Sequence, residues 1–125
     1  MRELLQRESE GYPDAALAIE MFCYRVKKQI GAYLAVLDGA EAVIFGGGIG
    51  ENSPPVRSRI CAGMQWCGMA IDENRNNNMI GREGEISADD AKVNIYVVPV
   101  DEAVMIARDT VQCLRKHRLK LKTQI

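Results

Sequence analysis

At 125 residues the chain is one domain or a piece of one. Its composition, 47% hydrophobic and 26% charged, is that of a globular protein with an ordinary core. A net charge of −1 points to neither nucleic acid nor membrane as a partner.

The first residues, Met1 to Gly11, are charged apart from Leu4 and Leu5. From Pro13 a helical pattern begins: Ala16, Ile19, Phe22, Cys23, Val26, Ile30, Tyr33, Leu34 and Leu37 recur mostly at spacings of three and four. Pro13 suits a first helical turn, where its missing N–H has no partner to lose, and Gly39 suits the stop after the last turn. Ala42-Val43-Ile44-Phe45 follows as a short β-branched run without alternation, the pattern of a strand covered on both faces. After the glycines that come next, Ser53-Pro54-Pro55 reads as a capped helix start. Val56, Ile60, Met64 and Cys67 extend that helix toward a stop at Gly68. Met69 to Ile71 is a possible short strand, and Asp72 to Asp90 is mostly polar, with Asn74 to Asn78 within it favouring loop or turn over core. Val93 to Val98 predicts a second strand, and Asp101 can cap a final helix with Ala103, Val104, Ala107, Val111 and Leu114 on its buried face. Strands alternating with helices argue an α/β layer with parallel pairing. Two good strands make a thin sheet, which suggests part of a larger one.

The cysteines, Cys23, Cys61, Cys67 and Cys113, form no C-x-x-C pair, and His117 is the single histidine, so no zinc pattern exists. Four unpatterned thiols without a secretory leader read as buried and reduced, hence a cytoplasmic protein. From Arg115 onward the chain is basic with no acid. That tail is either a solvated helix end or a patch for an anionic partner.

Chemistry concentrates in the turn after Phe45. Gly46, Gly47, Gly48 and Gly50 leave backbone N–H groups open to close approach, at the carboxyl end of a strand, with a helix starting beyond. A phosphate could dock there. Equally, a tight strand–helix turn could need small residues for packing alone. The run matches neither G-x-G-x-x-G nor a P-loop. At the end of the second strand, Asp101 and Glu102 could contribute to a Mg²⁺ site or simply cap the helix. Arg57 could reach a phosphate or serve the surface, and Trp66 and Tyr96 read as core.

Phe45-Gly46-Gly47-Gly48-Ile49-Gly50-Glu51-Asn52-Ser53 with Val56-Arg57 resembles the acetate kinase signature F-T-G-G-I-G-E-N-S…V-R. Val98-Pro99-Val100-Asp101-Glu102 followed by Met105 to Thr110 resembles that family's closing I-P-T-[ND]-E-E…I-A-R-[DE]-T. Gly68 to Asp72, Ile86-Ser87 and the segment Ala18 to Tyr33 also fit, in order and spacing. The resemblance implies the C-terminal, nucleotide-binding portion of an ATP-dependent acetate kinase, residues 1–125 forming an incomplete domain. It implies an RNase H-like fold of the acetate-and-sugar-kinase, actin-like ATPase class, with a few-stranded, mainly parallel sheet and flanking helices. The reaction implied is acetate and ATP to acetyl phosphate and ADP, with Mg²⁺, in a cytoplasmic homodimer. A propionate or butyrate kinase, or a non-catalytic nucleotide-binding or dimerisation module, is the alternative.

By position, Gly47, Gly48, Ile49, Gly50, Glu51 and Asn52 would line the nucleotide site, and Glu102 would be the Mg²⁺-linked glutamate. Gly46, Val100 and Ala103 depart from the family's Thr, Thr and Glu. The family's phosphoryl-stabilising arginines, its histidine and the acid near acetate belong to regions upstream. No catalytic residue is therefore expected in this segment, and these residues alone are expected not to turn over acetate.

Overall fold

The computed structural model describes residues 1–122, except for the side chains of Glu102 and of residues 116–122. The basic tail past Arg115, including His117, lies outside those described side chains, and residues 123–125 lie outside the described residues altogether.

Two helices come first, α1 at Arg2–Ser9 and α2 at Pro13–Val36. Pro13 opens α2 as its sequence demands. The stop differs in detail from the expectation. Asp38, not Gly39, takes the left-handed position just past the cap, at φ 56°, and the Gly39 N–H closes on the Leu34 carbonyl at 2.8 Å. This is the Schellman arrangement, and a short polar side chain tolerates the left-handed step. Along α2, Ile19, Cys23 and Leu34 are buried, and Phe22, Val26 and Ile30 pack at the margin of the same core. Tyr33 and Leu37 stay exposed.

The sheet holds β1 (Ala42–Phe45), β2 (Gly84–Glu85) and β3 (Asn94–Val97) in the order β1-β3-β2. β1 and β3 pair in parallel, from Ala42 opposite Asn94 to Phe45 opposite Val97, as two strands separated by helices should. β2 adds a short antiparallel edge. β1 was expected to be covered on both faces and is not. Phe45 is buried, whereas Ile44, which points to the opposite face, is 63% exposed. Among the described residues the core lies on one side of the sheet, where α2 and the helix at Pro54–Cys61 meet Ile95 and Val97 of β3.

Between β1 and β3 the chain forms α3 (Gly47–Asn52), α4 (Pro54–Cys61), a 3-10 turn at Gln65–Cys67 and α5 (Glu73–Asn78). Three expectations change here. The helix opened by Ser53 stops at Cys61 rather than at Gly68, because Gly63 turns the chain at φ 73°. Met64 still reaches the core, delivered from the turn just beyond that helix. Met69 to Ile71 makes only a single bridge, Ile71 to Ser87. The asparagine run at 74–78 is not a loop but lies in a helix: Asp72 caps α5 by accepting the Arg75 N–H at 2.8 Å, and Asn76 within it is wholly buried. Trp66, read as core, is 77% exposed.

The last helix, α6 (Glu102–Lys122), starts as expected, with the Val104 N–H donating to Asp101 Oδ1 at 3.0 Å. Its anticipated buried face is exposed: Val104, Val111 and Leu114 face solvent, along with Met105 and Ile106. Ala103 and Ala107 are exposed with them. The stripe is real, but no other described element packs extensively against it. The cysteine expectation is corrected for the same reason. Cys23 and Cys61 are buried and Cys67 is half-buried, whereas Cys113 on α6 is exposed.

Candidate functional site

β1 delivers the glycine run. Phe45 ends the strand, Gly46 continues it in extended form, and Gly47 turns at φ 71° to start α3 at once. The run was expected to lie as a loop ahead of a helix beginning at Ser53; that helix, α4, is present, but Gly47 to Asn52 forms a short helix of its own before it. Two glycines are forced by the backbone. Gly47 holds a left-handed φ that a side chain resists, and a Cβ at Gly50 would stand 3.1 Å from the Phe45 carbonyl carbon. Gly48 is different, since a Cβ there would meet nothing within 4 Å. Gly46 and Val100, both departures from the family pattern, face each other, and a Cβ on Gly46 would lie 3.0 Å from Val100 Cγ2.

The polar residues of the run tie it down. Glu51 accepts the Val100 N–H at 2.8 Å, linking α3 to the connection between β3 and α6. Asn52 Nδ2 donates to the Gly48 carbonyl at 3.1 Å.

A recess of about 360 Å³ opens beside the run. Gly48, Ile49, Asn52 and Ser53 form one wall, and Met1, Arg2 and Leu5 form the other. The volume is that of a small-molecule site, and its lining pairs apolar side chains with one guanidinium. Ser53 precedes α4 but makes no side-chain cap; its buried hydroxyl has no hydrogen-bond partner among the described residues. A hydroxyl left in that state costs about 1–3 kcal/mol, the kind of deficit that functional sites carry. The contribution of Met1, Arg2 and Leu5 could not be read from the sequence, because it depends on α1 folding back; Leu4 and Leu5, the apolar exceptions in a charged start, were the available signal. What holds α1 in place is visible. Arg59 of α4 grips Glu8 with both terminal nitrogens, at 2.9 and 2.8 Å, and this holds the Glu8 carboxyl below its usual range. A larger groove, about 630 Å³, is lined by α2 alone and is a surface furrow rather than a cleft.

Under the run lies Arg57, which has no exposed surface. Its Nε donates to Asn76 Oδ1 at 2.7 Å, its Nη1 to the Gly50 carbonyl at 2.7 Å, and its Nη2 to the carbonyls of Asn76 and Met79 at 2.9 and 2.6 Å. Among the described residues it makes no ion pair. Burial draws its pKa below the ordinary arginine value. Neither the phosphate-reaching nor the surface role read for Arg57 is what its geometry shows.

Asp101 and Glu102 meet at the start of α6. Asp101 is engaged as the helix cap, and the Glu102 side chain lies outside the described residues. Among the described residues no group of acids, histidines and cysteines is clustered for a metal, and no helix is long and apolar enough to cross a membrane.

The sequence model of the acetokinase family matches residues 1–108. The chain belongs to the acetokinase family. An acetate kinase of Chloroherpeton thalassium is 51% identical over 118 residues, which cover 93% of this chain and 28% of that protein. The crystal structure of Porphyromonas gingivalis acetate kinase superposes with a TM-score of 0.81 at 41% identity, over 90% of this chain and 28% of that one. A propionate kinase from Francisella tularensis subsp. tularensis SCHU S4 superposes with a TM-score of 0.75 at 36% identity, over 85% and 27%. The chain thus spans under a third of the length of the relatives it matches. Its fold is the RNase H-like α/β arrangement of these acetokinases, part of the acetate-and-sugar-kinase, actin-like ATPase class.

Proposed function

We propose that these residues are the C-terminal, nucleotide-holding portion of an ATP-dependent acetate kinase. The observation that carries this reading is the recess between the glycine run and α1, where Gly48, Ile49, Asn52 and Ser53 oppose Arg2. The residues present fit a nucleotide. The recess has the size of a ligand site, Gly48 lines it without a side chain, and the buried Ser53 hydroxyl has no partner among the described residues. Met1, Leu5 and Ile49 offer apolar surface to a base, and Arg2 offers positive charge. Of the six residues that the resemblance assigns to the nucleotide side, Gly48, Ile49 and Asn52 line the recess, while Gly47, Gly50 and Glu51 shape α3 behind it. Glu51 and Asn52 keep α3 in place.

When bound, ATP supplies the phosphoryl group that acetate accepts. The chain's own contribution is to bind and orient, which is most of what phosphoryl transfer asks of a protein. The resemblance at Val98 to Glu102 assigns Glu102 to Mg²⁺, a metal that commonly takes one or two carboxylates beside substrate phosphates. The exposed α2 face, with Leu17, Met21 and Tyr24, is the surface proposed for self-association of the kinase. Similarity to the Francisella propionate kinase favours a second reading, in which the intact enzyme takes the longer acid. Rates with acetate and propionate in the full-length kinase decide between the two.

Calorimetric titration of the 125-residue chain with MgADP and MgATP tests the central claim. Saturable binding of one nucleotide per chain is expected. Heats no different from dilution at millimolar nucleotide would overturn it.

A further inference from the structure

We propose that Arg57 is a positioning residue that sets the geometry of the glycine run, acting through the Gly50 carbonyl rather than through any ligand. The inference rests on the nucleotide reading above for its functional consequence, but not for its structural content.

Arg57 is a poor candidate for a group that touches phosphate. It is fully buried, and its Nε, Nη1 and Nη2 all donate to protein acceptors already. It is equally unlike an ordinary buried cation, since no carboxylate neutralises it among the described residues. Its charge is met by carbonyl oxygens, and their sources carry the argument. Asn76 and Met79 lie at the end of α5, whose last main-chain carbonyls carry the negative end of the helix. Gly50 lies in α3. One planar fork therefore joins the end of α5 to the helix made by the glycine run.

The anchor is itself locked. Asn76 Nδ2 donates to the Pro54 carbonyl at 3.1 Å and to Ser58 Oγ at 2.8 Å, so the amide presents Oδ1 to Arg57 from a fixed orientation. On the other side, the Phe45 backbone stands where a Gly50 side chain would be. Gly50 is thus pressed against β1 and held through its carbonyl by Arg57. With that residue fixed, the wall of the recess two residues earlier, at Gly48, has one orientation. A lysine cannot reproduce this, because a single ammonium lacks the flat, divergent donors that reach three separate backbone carbonyls and one amide oxygen.

The test compares Arg57→Lys with Ile19→Val, which trims the core on α2 without touching any hydrogen bond to the run. Two quantities are read for each: amide hydrogen exchange at residues 47–51 and MgADP affinity. Arg57→Lys is expected to speed exchange at residues 47–51 and to weaken MgADP by about ten-fold, the loss of one charge-assisted hydrogen bond's differential. Ile19→Val is expected to lower the melting temperature while leaving both quantities at wild-type values. If Arg57→Lys leaves exchange at residues 47–51 unchanged, or changes it no more than Ile19→Val does, the positioning role is wrong. A wild-type chain that fails to bind MgADP overturns the nucleotide reading instead, and the exchange comparison still judges Arg57. Should Arg57→Lys fail to fold, Asn76→Ala replaces it, because that change removes the amide anchor and keeps the guanidinium, with the same exchange pattern expected.

Discussion

Gly50 and Gly48 sit two residues apart on α3, yet their surroundings are opposite. A methyl group at Gly50 would press on the Phe45 backbone at 3.1 Å, whereas one at Gly48 would meet nothing within 4 Å. Gly50 also gives its carbonyl to Arg57, so this end of the run is packed and hydrogen-bonded into the protein. The Gly48 end opens on the recess shared with α1. The same residue type thus answers two demands in one short helix. At the closed end glycine is needed by the protein's own packing, and at the open end it keeps space that the protein does not use.

The closed end predicts the largest loss of stability. Gly50→Ala must push a backbone segment of β1, which has no rotamer to escape into, and should cost about 2 kcal/mol. Urea denaturation followed by circular dichroism measures it; a variant as stable as wild type would mean that β1 and α3 can separate freely. Gly47→Ala comes next. It has open space but a φ of 71°, so its penalty is conformational alone, about 1 kcal/mol. If both substitutions cost the same, steric closure at Gly50 is not what distinguishes the two.

The far wall of the recess should respond to acid. Glu8, held by Arg59, has a carboxyl pKa below its ordinary value. A depressed folded-state pKa gives stability that is present above the unfolded value and is lost as pH falls through the folded one. The urea midpoint of wild type should therefore exceed that of Glu8→Gln at neutral pH. The two should converge as pH falls below the usual carboxylate range. A gap that persisted at low pH would show that Arg59 does not secure α1 through this carboxylate.

How much of this was legible depended on whether the signal was local. Pro13, the spacing along α2 and the β-branched strands report local preferences, and the structure follows them, down to the Asp101 cap of α6. The order of the elements also gave the parallel pairing of β1 with β3. The misses are tertiary. An asparagine run is ordinarily solvated, and nothing local marks Asn76 as the residue that turns inward to meet Arg57 from another helix. Likewise the apolar stripe of α6 is plain in the sequence, but whether a stripe is buried depends on what lies against it. The recess was half legible. Its glycine wall stood out, and its α1 wall depended on a fold-back that links Glu8 to Arg59 across the intervening α2 and β1.

The smallest stability effect should be the most informative. Gly48→Ala places a methyl in open space on a helical residue that has no positive φ, so folding stability should move by no more than about 0.5 kcal/mol, with a slight gain from helix propensity. Gly48 lines the recess, however, and one added carbon at the wall of a fitted pocket typically changes affinity by about ten-fold or more. Gly48→Ala should therefore bind MgADP about ten-fold more weakly while unfolding at the wild-type urea concentration. Gly50→Ala should behave in the reverse sense, losing stability first. If Gly48→Ala bound MgADP as tightly as wild type, the open end of the run would be a spare turn. The nucleotide would then have to lie against some other part of the chain.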